Sequence, residues 1–375
     1  MCTIRSRGVF AIFACLALAA CGGGANRPAD TPARVEPAAG ARSPALQKLI
    51  DGARAEGELN LVLSSSYFNE GQALAEIEQA FNSYFGLNTR INRVVGPSMP
   101  QMAARVAQEV QAGRTPQTDL YHGSDEHIAT LLAADALQPI DWRALDERIP
   151  ANAIAEGNVA VAYGSWFPGI TYNQTLVPPA DVPKTLADVL DPRWQGKIAS
   201  TPYAAGFYRL ALSNEWGEQA TTEYVQRLAD QVGGLIRCGE NPRLLSGEFQ
   251  MLVLNCGVHV DQRSQRDGLP LNFVVPADAV RVSYYSVGVP KGSAHPNTAT
   301  LFALFLLSEP GQRLSYASDF LDLHLLPGSQ SAGLVKPTRD QGGRLLGEDG
   351  MVYLTKYAAE SSVYEKEYAR LIAKQ

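Results

Sequence analysis

Apolar side chains recur three and four residues apart as Leu74, Ile77, Phe81 and Phe85, which predicts a helix with one core-facing stripe and Gly86 in its capping position. The same reading extends in both directions. Ser43-Pro44 starts a helix that Gly57 ends near Glu56, and Glu58 to Leu63 is a short apolar strand that stops at Ser64-Ser65-Ser66. After the striped helix, Leu87 to Val95 alternates as a strand and breaks at Gly96-Pro97-Ser98. Ser98 caps a helix carrying Met102, Val106 and Val110. Asp119 to His122 is a third strand; Gly123-Ser124 follows, and Ser124 caps a helix with Ile128, Leu131 and Leu132. The order βαβαβα predicts an α/β fold, a sheet flanked by helices, with ligands taken beyond the carboxyl ends of the strands.

From residue 156 the pattern changes. Val159 to Thr171 reads as strands, 176–194 as a proline-rich connection around a short helix, and 196–200 as a further strand leading to Thr201-Pro202-Tyr203. A helix over about 219–232 precedes two buried strands, Gly234 to Arg237 and Met251 to Asn255, joined by a short helix starting at Asn241-Pro242. A second α/β lobe accounts for this order. Residues 281–289 form one more strand, Thr298 to Leu307 a strongly apolar helix broken by Pro310-Gly311, and a polar helix closes the chain. The expected division is a first lobe of 46–155 plus 280–330, a second lobe of 156–279, and a C-terminal helical extension of 331–375.

The N-terminus changes the destination of this body. Arg5 and Arg7, an apolar run from Val9 to Ala20, and Leu18-Ala19-Ala20-Cys21 have the order of a secretory signal ending in a lipobox, with residues 1–20 removed and Cys21 lipidated. Residues 21–45, rich in Gly, Pro and Ala, read as a spacer between lipid and fold. The expected location is extracytoplasmic, periplasmic or at the cell surface, held to a membrane through the lipid.

Without the signal, 30 basic side chains face 38 acidic ones, a net charge of −8, and no basic cluster stands out, which argues against nucleic-acid binding. Cys238 and Cys256 are the cysteines left after the signal and the lipidated residue; a disulfide and two buried thiols are both open. If their strands are parallel neighbours, both cysteines lie at the carboxyl ends, on the ligand side. No G-x-S-x-G elbow, P-loop, H-E-x-x-H or C-x-x-C is present, so no enzyme signature is found.

Three blocks, 53–66 (ARAEGELNLVLSSS), 172–199 (YNQTLVPPADVPKTLADVLDPRWQGKIA) and 288–312 (GVPKGSAHPNTATLFALFLLSEPGQ), together resemble the solute-binding proteins of bacterial ABC importers, in the branch that includes ferric-iron binders. The resemblance implies a type II periplasmic-binding-protein fold of two lobes with the ligand between them, no cofactor, and a permease and ATPase complex as partners. It departs from the ferric members where they carry adjacent tyrosines: here the stretch reads Cys256-Gly257-Val258-His259-Val260-Asp261. The expected cargo is therefore a small polar or anionic solute. Ferric iron, for which His122, His259 and Asp261 are scattered candidate ligands, is one alternative, and a ligand-sensing receptor another. Candidate ligand contacts are Ser64, Ser65, Ser66, Tyr67, Gly96, Ser98, Gly123, Ser124, Trp166, Thr201, Tyr203 and Arg237. Each also has a structural reading, as a helix cap or packed ring, and Tyr284-Tyr285 reads first as core.

Overall fold

A computed structural model describes residues 43–65 and 67–374. The signal segment, Cys21, most of the spacer and Ser66 lie outside the described residues. Among the described residues no helix is long and apolar enough to cross a membrane.

Among the described residues ten strands carry the fold: β1 (Glu58–Leu63), β2 (Arg90–Val95), β3 (Tyr121–Ser124), β4 (Val161–Trp166), β5 (Ile170–Asn173), β6 (Ile198–Ser200), β7 (Val232–Leu235), β8 (Met251–Val253), β9 (Leu271–Val274) and β10 (Ser283–Gly288). They form a parallel pair β1-β2, a three-stranded sheet β3-β10-β4 and a five-stranded sheet β7-β6-β8-β5-β9. The chain changes sheet between Trp166 and Ile170, and again between Val274 and Ser283. Before the change at Trp166, β4 pairs antiparallel with the returning strand β10.

The local chemistry explains the helix ends. Ser43 Oγ accepts the Leu46 N–H at 3.2 Å and caps the helix Pro44–Glu56, which Gly57 ends at φ 70°. Ser98 and Gln101 form a reciprocal capping box on the helix Met99–Gln111. Two expectations need correction. The apolar helix Pro296–Leu307 stops at Ser308, and Pro310 and Gly311 sit in the first turn of the next helix, Glu309–Asp319, where a missing N–H costs nothing. The third strand, expected over 119–122, runs from Tyr121 to Ser124 and pairs antiparallel with β10 instead of extending the parallel ladder. Just before it, side chains hold the connection to β1: Asp119 Oδ2 accepts the Asn60 N–H at 2.7 Å and Thr118 Oγ1 the Val62 N–H at 3.1 Å.

The core of the first-sheet region centres on Phe81, Phe85, Phe302 and Phe305, whose rings meet edge to face. The helix Pro296–Leu307 is buried on every side from Thr298 to Leu306, which is why its sequence shows no polar face. A separate core under the five-stranded sheet gathers Trp194, Phe207, Tyr224, Leu228 and Met251.

Candidate functional site

Four aromatic side chains from the first-sheet region converge at one place. Tyr67 follows β1, His122 lies on β3, Tyr163 on β4 and Tyr285 on β10. The Tyr67 ring meets His122 edge-on with centroids 4.0 Å apart, and Tyr285 stacks on His122 at 5.5 Å. His122 Nε2 and the Tyr163 hydroxyl are 2.7 Å apart. Trp166, at the end of β4, lies 6.1 Å from Tyr285.

The region of the five-stranded sheet supplies the opposite wall through the helix Val258–Arg266, which sequence reading did not predict. It starts at Gly257, whose φ of 119° excludes a side chain, and a Cβ there would sit 2.6 Å from His259 Nδ1 and 3.1 Å from Trp166 Cε3. His259 meets Tyr285 edge-on at 5.9 Å. Arg263, one turn further along the same face, brings its charge against Tyr163, Tyr285 and His259. Contacts from this helix reach the facing elements directly: Gln262 Nε2 donates to the Tyr316 hydroxyl at 3.1 Å, and Arg266 donates to Ser318 O and Asn69 Oδ1, both at 3.1 Å.

Burial fixes the protonation states. It pushes the His122 imidazole down to about 3, helped by His127, and His259 down to about 3, helped by Arg263, so both are neutral at pH 7. Burial also holds Tyr67, Tyr163 and Tyr285 above the usual phenol range. Three nitrogens in this cluster are buried and have no hydrogen-bond partner among the described residues: Trp166 Nε1, His259 Nδ1 and Arg263 Nε. Buried polar nitrogens are almost always paired, so these three are open to a partner; the indole and guanidinium nitrogens donate, and the imidazole nitrogen donates or accepts according to its tautomer.

The candidate ligand residues divide. Tyr67 and Trp166 enter the cluster. Ser64 and Ser65 lie at its edge, their carbonyls accepting Arg93 Nη2 at 3.2 and 2.8 Å. Ser98 and Ser124 are helix caps, Ser124 Oγ also lying 2.5 Å from Glu126 Oε2. Thr201 Oγ1 accepts the Ala205 N–H at 2.8 Å. Gly96 and Gly123 make room for Val62 and for the Tyr121 ring. Tyr203 accepts the Cys238 N–H at 3.0 Å and lies 3.6 Å from Cys256 Sγ, while Arg237 is exposed. Cys238 and Cys256 form a disulfide with Cα atoms 5.8 Å apart, yet their strands are not neighbours: β6 lies between β7 and β8. The helix at Asn241-Pro242 is five residues long. His122 and His259 flank Tyr285, but Asp261 does not join them. Its carboxylate, raised by burial to about 7, accepts Thr171 Oγ1 at 2.8 Å and Asn255 Nδ2 at 2.5 Å behind the disulfide. Arg263 and Tyr163 carried no sequence signal of their own as ligand contacts, and Tyr285 was read first as core.

Two α/β regions bridged by crossing strands, with a polar cluster where they meet, define a two-lobed binding protein of type II topology. The family model of the bacterial extracellular solute-binding proteins matches residues 73–341, and the chain belongs to that family. It is similar to the major ferric iron-binding protein of Neisseria gonorrhoeae, 25% identical over 64% of this chain and 74% of that one. An uncharacterized Haemophilus influenzae protein is 29% identical over 36% of this chain, a match spanning 40% of that protein's own length. In fold the chain is similar to the substrate-binding protein of an ABC transporter from Agrobacterium tumefaciens, with a TM-score of 0.66 at 17% identity over 85% of this chain and 96% of the other.

Proposed function

We propose that this protein is a lipid-anchored, extracytoplasmic solute-binding protein that holds a small polar or anionic solute between its lobes and delivers it to an ABC permease and ATPase complex. The observation that carries the reading is the set of three unpartnered buried nitrogens, on Trp166, His259 and Arg263, around Tyr285. A buried donor left without an acceptor costs about 1–3 kcal/mol, and a ligand bearing acceptors removes that cost on binding. Arg263 makes no ion pair among the described residues, and both imidazoles are neutral, so the cluster offers an anion one uncommitted cation and several donors. Trp166 adds an aromatic face for stacking.

A thermal-shift panel on the mature chain, covering phosphonates, phosphorylated sugars, carboxylates, polyamines, thiamine-like compounds and ferric complexes, tests this. An anion present at 100 times its dissociation constant stabilises the folded state by about 2.7 kcal/mol. That shift is expected to vanish in Arg263→Gln. A shift by polyamines that survives Arg263→Gln rejects the anionic class.

Ferric iron is the second reading, favoured by the three phenols of Tyr67, Tyr163 and Tyr285 beside His122 and by the Neisseria relative. Iron(III) prefers phenolate oxygen, whereas burial holds these phenols protonated. Titration with ferric citrate separates the readings: a phenolate-to-iron absorption band in the visible establishes iron as cargo, and a flat spectrum removes it.

A further inference from the structure

The C-terminal helix Leu354–Ile372 is seated in both lobes. At its N-terminal end Leu354 is buried in the cluster that holds Val282, Tyr284 and Met351. The Thr355 N–H donates to Glu156 Oε2 at 3.0 Å, and the Glu156 N–H to Met351 O at 2.9 Å. At the other end Tyr368 and Ile372 are buried with Phe207, Tyr224 and Leu228 under the five-stranded sheet. Between these ends Ser213 Oγ donates to Glu360 Oε2 at 3.1 Å, Asn214 Nδ2 to the Tyr357 hydroxyl at 2.6 Å, and the Tyr364 hydroxyl to Glu218 Oε2 at 3.0 Å. One rigid element thus spans the two bodies.

Beneath this helix lies a buried ion pair between the same two bodies. Arg209, on the helix Phe207–Leu210 after β6, donates to both oxygens of Asp125, at the start of the helix after β3, at 2.7 and 2.8 Å. The guanidinium also donates to Ser283 Oγ, the first residue of the returning strand β10, at 2.8 Å. Glu126 takes a further contact from Arg209 and accepts the Tyr208 hydroxyl at 3.0 Å. Arg209 is 4% exposed, and Leu354, Tyr357 and Ala358 of the C-terminal helix cover the pair across a cavity of about 20 Å³. A bidentate guanidinium–carboxylate pair has directional geometry, and Arg281, buried beside it, donates to the same Ser283 Oγ at 2.6 Å.

We infer that the Arg209–Asp125 pair and the C-terminal helix above it form an interlobe latch that holds the lobes together before any ligand arrives. Opening the lobes at this latch breaks two charge-assisted bonds and the Ser283 contact and uncovers the side chains of Leu354 and Tyr357, which biases the ligand-free chain toward the closed form. The inference rests on the fold and on these contacts, and not on the identity of the cargo.

Small-angle scattering of the ligand-free mature chain carrying Cys21→Ser, paired with amide hydrogen exchange, tests it. The unaltered chain is expected to scatter as the closed form. Arg209→Met is expected to shift the radius of gyration upward and to speed exchange at Ser124, Asp125 and Ser283 by about tenfold or more. Should Arg209→Met fail to fold, judged by circular dichroism, Ser213→Ala/Asn214→Ala loosens the helix from the second lobe without emptying the core and is expected to shift both readouts the same way. Closed scattering and unchanged exchange in a folded variant overturn the latch, as does open scattering from the unaltered ligand-free chain.

Discussion

Two buried imidazoles make the stability of this fold depend on pH. His122 and His259 each fall to about 3 in the folded state, from the ordinary value of 6.5, because burial disfavours their charged form. A depressed histidine contributes stability that is fully present above the unfolded value and is lost as pH falls through the folded one. Between pH 6.5 and 3 the unfolded chain therefore binds protons that the folded chain refuses. Chemical denaturation across that window is expected to show His122→Gln losing less stability than the unaltered chain, the difference reaching roughly 2–4 kcal/mol by pH 3. Identical pH slopes would show that His122 is solvated. Charge on Arg263 adds to the depression of His259, so an anion bound beside Arg263 is expected to raise the histidine back toward its ordinary range.

At the scale of elements, the helix Pro296–Leu307 lies at the centre of the core that holds Phe81 and Phe85. Phe302 is 1% exposed and meets Phe68 and Phe81 edge to face. Phe302→Ala removes those contacts and leaves a cavity, with an expected loss of about 3–5 kcal/mol in urea unfolding. A loss below about 1 kcal/mol would mean the neighbours collapse into the space. Elements with strong periodicity and a cap were legible in the chain: the striped helix ending at Gly86, β1 bounded by Gly57 and Ser64, and the capping box at Ser98 all follow from local chemistry. The helix Val258–Arg266 was not, because it begins at a glycine without a polar cap and its polar sequence shows no apolar stripe. Strand partners were not legible either. That β3 and β4 both pair with β10 depends on contacts more than 100 residues apart, on which spacing is silent. The candidate site divided for the same reason: serines at strand ends met the local need of helix caps, whereas the cluster around Tyr285 is assembled from five distant segments.

For the whole molecule, the proposed lipid on Cys21 decides where binding happens. Cys21→Ser is expected to move the protein from the membrane fraction to the soluble extracytoplasmic fraction while leaving its thermal stability unchanged. Retention at the membrane would show a second means of attachment. A tethered binding protein need not be soluble at high concentration to meet an importer, since the linker fixes the effective concentration.

The bond between Cys238 and Cys256 has a consequence for the order of events during assembly. Only 18 residues separate the two cysteines, so the bond closes a loop short enough for an unfolded chain to reach, and once formed it ties the ends of β7 and β8 across β6. Trapping free thiols at intervals after oxidant is supplied, beside a fluorescence record of folding, would show whether the bond precedes or follows the assembly of those three strands.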